Sequence, residues 1–236
     1  NASNIDVALQ ELFTLIDSVK LTPLRIVIFC NATSNEHYTQ LRDSILLANK
    51  MHYADTTPLV ALIAQPPLDA EFAAEVTFAD TEKNSISRHS NYIILNNEIL
   101  LTGALYAPIS DSIANQSDHI FSQLEEILDR ERFNINNIVR QWNYIEQITH
   151  LSSEGQNYQQ FNDARSRFYA KTDWKNGYPA ATGIGTSYGG VTIVVDAVIN
   201  SDQCSRAIDN PLQISAHAYS QQVLIDSDIS RHKTTP

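Results

Sequence analysis

Two neighbouring arginines are the side chains of this sequence best suited to hold a small anion. Arg165 and Arg167 follow Tyr158 and Phe161 in a segment with helical spacing of its apolar residues. Residues two apart point to different faces of a helix, so one arginine can face a cleft while the other meets solvent. A guanidinium binds a carboxylate through two parallel hydrogen bonds. Either arginine is therefore a candidate carboxylate ligand, with a solvated surface arginine as the alternative for each.

Glycines are concentrated in one stretch of the chain. Five of the seven lie between residues 177 and 190. Gly183 and Gly185 fall within or beside a predicted strand, where glycine indicates either a bulge or a ligand in contact with the backbone. Gly189 and Gly190 are predicted to close a hairpin. The spacing is not that of a phosphate loop, because no Gly-Lys-Ser follows and the next element is a strand.

Two polar or amphipathic residues interrupt aliphatic strands. Trp142 lies near the end of a strand that begins aliphatic, which favours partly polar recognition there, with core packing as the alternative. Asp196 lies within the apolar run 191–199. Because a buried carboxylate is costly unless paired, it lies either on the exposed face of the strand or in a site that shifts its pKa. The histidines show no metal-ligand spacing, and we expect no metal and no cofactor.

Hydrophobic periodicity predicts the elements that position these side chains. Apolar residues recur at helical spacing in four segments, at residues 7–16, 36–50, 117–128 and 158–169. Short β-branched or apolar runs predict strands at residues 24–30, 58–64, 71–78, 92–95, 99–101, 138–144, 179–185 and 191–199. Asn96-Asn97 separates two of these strands and tolerates the positive φ of a tight hairpin turn.

The order of these elements repeats along the chain. Tyr38 matches Tyr158, Pro58 matches Pro179 and Glu75 matches Asp196, at offsets of 120 or 121 residues. We interpret this as an internal duplication. It predicts an α+β fold of two tandem units, each a mixed β-sheet with two helices packed on one face. Residues 1–86 form the first unit, residues 87–204 the second, and residues 205–236 a C-terminal extension, which the family resemblance given below connects to a further domain.

Composition excludes several classes of function. The chain has a formal net charge of −11, so it repels phosphate backbones, and we expect no nucleic-acid partner. No stretch approaches the roughly 18 apolar residues of a membrane helix, and the first residues lack a signal-peptide pattern, which predicts a cytoplasmic protein with no membrane partner. Two cysteines are too few for a disulfide framework, and Cys30 is predicted to be a reduced, buried thiol.

Four ordered motifs resemble a known family. Residues 140–145 (RQWNYI), 158–165 (YQQFNDAR), 179–185 (PAATGIG) and 210–219 (NPLQISAHAY) are similar to the chorismatase branch of the YjgF-like superfamily. This superfamily is also called RidA-like or reactive intermediate deaminase, with endoribonuclease L-PSP as a legacy name. The resemblance implies two chorismate-mutase-like units. The negative charge gives the ribonuclease name no support.

The resemblance also implies a function. Chorismatases hydrolyse the enol ether of chorismate and release pyruvate, without metal or cofactor, while arginines hold the substrate carboxylates. It implies that the chain is the N-terminal part of such a hydrolase, which binds chorismate or a similar small cyclic carboxylic acid. The substrate-binding candidates are Arg165, Tyr158, Trp142, Thr182 and Gly183.

Two departures from the family pattern bear on catalysis. The family's catalytic acid lies in a further YjgF-like domain towards the C-terminus, so the acid is expected outside this chain, and whether the chain alone is an enzyme is left open. The simple deaminases carry an arginine two residues after the strand proline, where this chain has Ala181 and, in the first copy, Val60. Imine hydrolysis is therefore not expected. The alternative function is a non-catalytic YjgF-like module that binds small metabolites or assembles, as a monomer or a homo-oligomer, through its sheet edges.

Overall fold

The computed structural model describes residues 2–174 and 177–199 of the 236-residue chain, and these residues form a mixed α+β fold. The helices are α1 (Ala2–Ser18), α2 (Asn35–Tyr53), α3 (Ile113–Arg130) and α4 (Asn157–Tyr169). The strands are β1 (Thr22–Cys30), β2 (Leu59–Ile63), β3 (Phe72–Ala79), β4 (Ile86–Arg88), β5 (Tyr92–Leu95), β6 (Ile99–Thr102), β7 (Leu105–Tyr106), β8 (Ile138–Glu146), β9 (Leu151–Ser152), β10 (Gly155–Gln156), β11 (Ala180–Thr186) and β12 (Val191–Val198). Every predicted helix and strand is confirmed; four strands of two or three residues were not predicted.

The first sheet has the strand order β2-β1-β3. The central strand β1 runs parallel to β2 and antiparallel to β3. Side chains alternate between the two faces of a strand, and the buried Ile26 and Ile28 of β1 therefore share one face. Helices α1 and α2 cover that face with a cluster that includes Phe13, Leu41 and Ile45. This is the amphipathic packing that the helical spacing predicts.

The second sheet has the strand order β11-β8-β12-β6-β5-β4, with β7 paired to the first half of β12. Helices α3 and α4 cover one face through a core that includes Leu124, Phe161 and Ile193. Strands β5 and β6 form the predicted hairpin. Asn96 and Asn97 turn it with φ angles of 53° and 58°, which confirms their role.

One predicted hairpin is wrong. Gly189 and Gly190 do adopt the positive φ angles of a tight turn, 101° and 63°. The strands they join, β11 and β12, do not pair with each other, because β8 lies between them and hydrogen-bonds to both. The connection therefore crosses the end of β8. Sequence spacing alone gives no sign of this, since a short link between two strands fits a hairpin and a crossing equally well.

The two sheets meet through the faces that the helices leave uncovered. Two apolar clusters contain residues of both sheets, among them Leu24 and Leu59 with Leu101, and Val27 and Ile63 with Tyr144. Backbone hydrogen bonds also join β2 and the residue that follows it to loops of the second sheet, from the Ala104 amide to the Val60 carbonyl and from the Ser187 amide to the Ala64 carbonyl. The described chain is thus layered helix, sheet, sheet, helix.

Three features that the sequence predicts lie outside the described residues. The extension at 205–236, the fourth motif at 210–219 and Cys204 all lie there. Within the described ranges, no helix is both long and apolar enough to cross a membrane.

Cys30 gives a direct test of the packing around the first sheet. Its thiol is free and 0% exposed, and burial raises its pKa to about 12 from the ordinary 9.0. We expect a Cys204→Ser variant to show no reaction of Cys30 with a thiol reagent at pH 8 until denaturant is added, because the thiolate is the reactive form. Rapid labelling of the native variant, followed by mass spectrometry, would contradict this packing.

Candidate functional site

The middle strand of the second sheet, β8, has two chemically different faces. Arg140, Trp142 and Tyr144 point towards the first sheet, where Trp142 and Tyr144 join an apolar cluster shared by the two sheets. Gln141 and Asn143, which alternate with them, lie beneath α4 and are 0% exposed. The Tyr169 hydroxyl of α4 donates a hydrogen bond to Gln141 Oε1 at 3.0 Å. Side chains next to each other in this motif therefore belong to different surfaces.

Arg140, Trp142 and Thr182 form one surface, which we call the Arg140 surface. Thr182 of β11 lies beside Trp142 in the strand register. The Arg140 guanidinium lies over the Trp142 ring, 4.7 Å from its centroid, and Nη2 donates to Thr182 Oγ1 at 2.8 Å. Within the part of the chain that the structure describes, Arg140 has no salt bridge to an acid. A half-buried guanidinium beside an indole and a hydroxyl can bind a carboxylate of a ring-shaped ligand.

A second arginine, Arg25, reaches Trp142 from the first sheet. Its guanidinium lies 5.3 Å from the indole centroid. Nη1 donates to Asp196 Oδ1 at 2.6 Å, Nη2 contacts Asp196 Oδ2 at 3.4 Å, and Nη1 also donates to the Thr102 carbonyl at 3.1 Å. Asp196, which the sequence left either exposed or in a special site, is thus held in an ion pair between the sheets. The signal in the sequence for this pair is that Arg25, like Asp196, interrupts an apolar strand.

On the opposite face of β11, protein side chains lie close to the backbone of Gly183 and Gly185, although Gly183 is itself exposed. A Cβ added to Gly183 would lie 3.2 Å from Cε2 of Tyr158, and one added to Gly185 would lie 2.7 Å from Cγ2 of Ile148. The register of β11 on β8 is uninterrupted, so the glycines do not mark a bulge. They let Tyr158 and Ile148 approach the backbone closely. The structure therefore places two of the predicted site residues, Tyr158 and Gly183, next to each other.

Arg165 lies further along α4, away from Trp142 and Thr182. Its guanidinium is 6.0 Å from the Phe161 ring centroid and 5.9 Å from that of Tyr169. Burial raises the pKa of Tyr169, and the positive charge of Arg165 acts against that rise. Arg167, by contrast, is exposed and pairs with Asp118 at 2.6 Å.

The five sequence-predicted binding residues consequently form two groups. Trp142 and Thr182 lie on the surface that faces the first sheet, whereas Tyr158 and Gly183 lie on the helix-covered face, with Arg165 on the helix that covers it. Arg140, which the sequence analysis named only as the start of a motif, is the arginine that accompanies Trp142. In the described ranges, no group of three or more His, Cys, Asp or Glu side chains is arranged to hold a metal ion.

Comparison with known proteins identifies the family. The family described as "Chorismatase FkbO/Hyg5-like, N-terminal" matches residues 75–197, just over half of the chain. The chain belongs to this family. The matched residues include the Arg140 surface and all three motifs that lie in the described residues. A comparison with curated protein sequences finds no match.

Solved structures have a similar fold. A chorismatase crystal structure matches with a TM-score of 0.53 and 18% identity over 75% of this chain and 48% of the chorismatase chain. The chain therefore spans about half the length of that chorismatase. Two smaller proteins also match. Rv2704 of Mycobacterium tuberculosis, a YjgF/YER057c/UK114 family member, has 16% identity, a TM-score of 0.37 and coverage of 47% of this chain and 86% of its own. YyfA of Yersinia pestis, from the Rid family, has 21% identity, a TM-score of 0.38 and coverage of 49% and 90%.

Gly185 tests whether packing explains the glycines of β11 in this family member. A Gly185→Ala substitution places Cβ against Ile148 Cγ2 and should destabilise the protein by about 1–3 kcal/mol, the usual cost of overpacking. Adding Ile148→Leu removes the branched methyl and should recover most of that loss. Urea unfolding of both variants measures the effect. A Gly185→Ala protein as stable as the original would show that the contact is not tight.

The buried ion pair predicts a larger effect. Asp196→Asn leaves the Arg25 charge without a counter-ion, and we expect a loss of about 3 kcal/mol in the free energy of unfolding. The matched control is Asp118→Asn, which breaks an exposed pair with Arg167 and should cost about 0–1 kcal/mol. Chemical denaturation compares the two variants. Equal losses would mean that the ion pair between the sheets contributes no more than a surface pair.

Proposed function

We propose that this chain is the N-terminal part of a chorismatase-like hydrolase and that it binds chorismate or a similar small cyclic carboxylic acid. The observation that carries the proposal is the Arg140 surface, where the Arg140 guanidinium lies over Trp142 and, among the described residues, donates hydrogen bonds only to neutral oxygen acceptors. An incoming carboxylate would replace these neutral acceptors with a charge-assisted pair. Membership of the chorismatase-like family supports the choice of ligand.

The residues of this chain would hold the substrate rather than supply the proton. In enol-ether hydrolysis an acid protonates the vinyl carbon, water adds to the resulting cation, and the hemiketal breaks to release pyruvate. Asp196 is opposite Arg140 in the strand register, but both of its oxygens face the Arg25 guanidinium. We therefore propose that the catalytic acid comes from a part of the protein outside this chain, and that Arg140 and Trp142 fix a carboxylate and the ring.

Arg165, Tyr158 and Gly183 remain a second proposed contact region. Arg165 has no salt bridge to an acid among the described residues. It is therefore available to a carboxylate, on the helix that covers the other face of the sheet. The two regions are separated by the sheet, so one small ligand would use Arg140 or Arg165 and not both.

We also propose that the two sheets are tandem copies of one unit. The order β2-β1-β3 corresponds to β11-β8-β12, with one parallel and one antiparallel pairing in each. Each middle strand also has a register shift directly before its arginine, at Leu24 before Arg25 and at Val139 before Arg140. Bulges are retained within families, so a shared position supports common descent. In this register Thr77, rather than Glu75, takes the place of Asp196.

The alternative proposal is a non-catalytic module that binds a small metabolite or assembles with other copies. Strand β11 supports it, since it is the outermost strand of its sheet and pairs only with β8 in the described ranges. An unpaired strand edge is a template for another chain.

Binding of chorismate to the purified chain tests the proposed site. Arg140→Ala should weaken binding by about 10-fold or more, because a hydrogen bond to a charged group contributes about 1.5–3 kcal/mol. Arg167→Ala, which removes an exposed arginine on α4, should leave the affinity unchanged. Isothermal titration calorimetry measures all of these proteins. If Arg165→Ala abolishes binding and Arg140→Ala does not, the ligand lies on the helix-covered face, and the Arg140 proposal is wrong.

Activity is tested with the full-length gene product, because we propose that the catalytic acid lies outside residues 1–236. Incubation with chorismate should release pyruvate, measured with a coupled dehydrogenase assay, and Arg140→Ala should reduce the rate at low substrate concentration. Absence of pyruvate, with binding intact, would reject the hydrolase and favour the binding module.

A further inference from the structure

A polar pocket, separate from the Arg140 surface, lies where the N-terminal ends of α2, α3 and α4 converge beside the end of β8. It has a volume of about 260 Å³. The floor includes Asn35, Glu146 and Asn157, and the rim carries the exposed acids Asp111 and Glu154. We call it the Asn157 pocket. Its volume is just below the range of about 300–1,000 Å³ that is typical of drug-sized ligands, so it suits a smaller molecule.

Helix N-termini normally attract anions, but here the protein already uses their amide groups. The His37 amide donates to the Ser34 hydroxyl and the Asn115 amide to the Ser112 hydroxyl. The Ala114 amide donates to Gln160 Oε1 at 3.2 Å. In α4 the first two amides donate to backbone carbonyls of the preceding loop. The converging helix ends therefore offer few free donors to an anion.

Acceptors, in contrast, are left over. Asn157 is 8% exposed, and its Nδ2 donates to the carbonyls of Glu146 and Gln147 at 3.0 and 3.2 Å. These two bonds fix the orientation of the amide. Its Oδ1 has no hydrogen-bond partner among the described residues, although the side chain lines the pocket. The oxygen is not among the fully buried atoms without a partner, so it is open to the pocket, where a ligand N–H can replace water as its donor.

The charge of the pocket is negative. Glu146 accepts hydrogen bonds from the Asn35 amide group at 3.1 Å and from the Gly190 backbone amide at 2.8 Å. Within the described residues, none of Glu146, Asp111 and Glu154 forms a salt bridge, and no basic side chain lines the pocket. Three carboxylates and a free carboxamide oxygen call for a ligand that is positively charged and rich in N–H donors.

We propose that the Asn157 pocket binds a small organic cation, a primary ammonium or guanidinium group, with its N–H donors directed at Asn157 Oδ1 and the Glu146 carboxylate. A metal ion is the less favoured occupant, because these acids are not grouped closely enough to hold one in the described part of the chain. The charge requirement is opposite to that of the Arg140 surface. Failure of this proposal therefore leaves the proposed carboxylate binding unaffected, and the reverse also holds.

Amide chemical shifts of the 236-residue chain at low ionic strength test the proposal. The probe is methylguanidinium, and its neutral counterpart of similar shape is N-methylurea. We expect saturable shifts of the Ala114, Gly155 and Gly190 amides with methylguanidinium alone. The exposed rim variant Asp111→Asn/Glu154→Gln should weaken binding at least fivefold, and Glu146→Gln should abolish it. The matched control, Glu11→Gln/Glu82→Gln, makes the same change in net charge at exposed positions away from the pocket.

Each other outcome overturns the proposal. Absence of saturable shifts, equal shifts with N-methylurea, or unchanged affinity in the rim variant would show that the pocket does not select an organic cation. The same shifts produced by CaCl₂, and not by methylguanidinium, would identify a metal site instead. If Glu146→Gln does not fold, the rim variant alone decides, because both of its side chains are exposed.

Discussion

The ion pair of Arg25 with Asp196 is the constraint around which the two sheets are arranged. Arg25 is 4% exposed and reaches across from the first sheet to a carboxylate in the last strand of the second. Removing both charges from water is expensive, and the attraction offsets that cost only if the geometry is good and the remaining donors are satisfied. One donor goes to the Thr102 carbonyl, while Arg25 Nε has no partner. The pair therefore acts mainly to specify how the sheets meet, and the apolar clusters on either side supply the stability.

This arrangement decides which side chains can serve a ligand. Trp142 lies under two guanidiniums, one of which is neutralised by Asp196 and one of which has no acid within salt-bridge distance among the described residues. A cation that has lost part of its hydration and has no counter-ion attracts an anion more strongly than a solvated one. Contact with the indole and the hydrogen bond to Thr182 restrict the guanidinium before a ligand arrives, which reduces the entropy lost when a carboxylate binds. The ion pair and the proposed carboxylate site therefore lie next to each other on one surface.

Much of the fold could be predicted from the sequence, whereas the grouping of the site residues could not. Hydrophobic period locates α4 and β8 because their apolar positions repeat over many residues. It does not reveal that β8 inserts between β11 and β12, since that depends on pairing between distant segments. Once the pairing is known, the strand period assigns Trp142 and Thr182 to one face and Gly183 to the other. The sequence-based set combined both faces because the residues are adjacent in their motifs.

The proposed duplication bears on why an arginine stands at position 140. If the sheets are copies, Arg25 and Arg140 descend from one position. Each lies directly after the register shift, and each pairs with the first residue of the strand that runs parallel to its own strand. In the first copy the arginine has a carboxylate on the neighbouring unit, and in the second the described residues contain no such partner. Under the proposed duplication, an arginine at the position that faces a carboxylate across the boundary between units already has the geometry to bind one. Substrate binding at Arg140 would then need no new side chain, only the replacement of a protein carboxylate by that of a ligand.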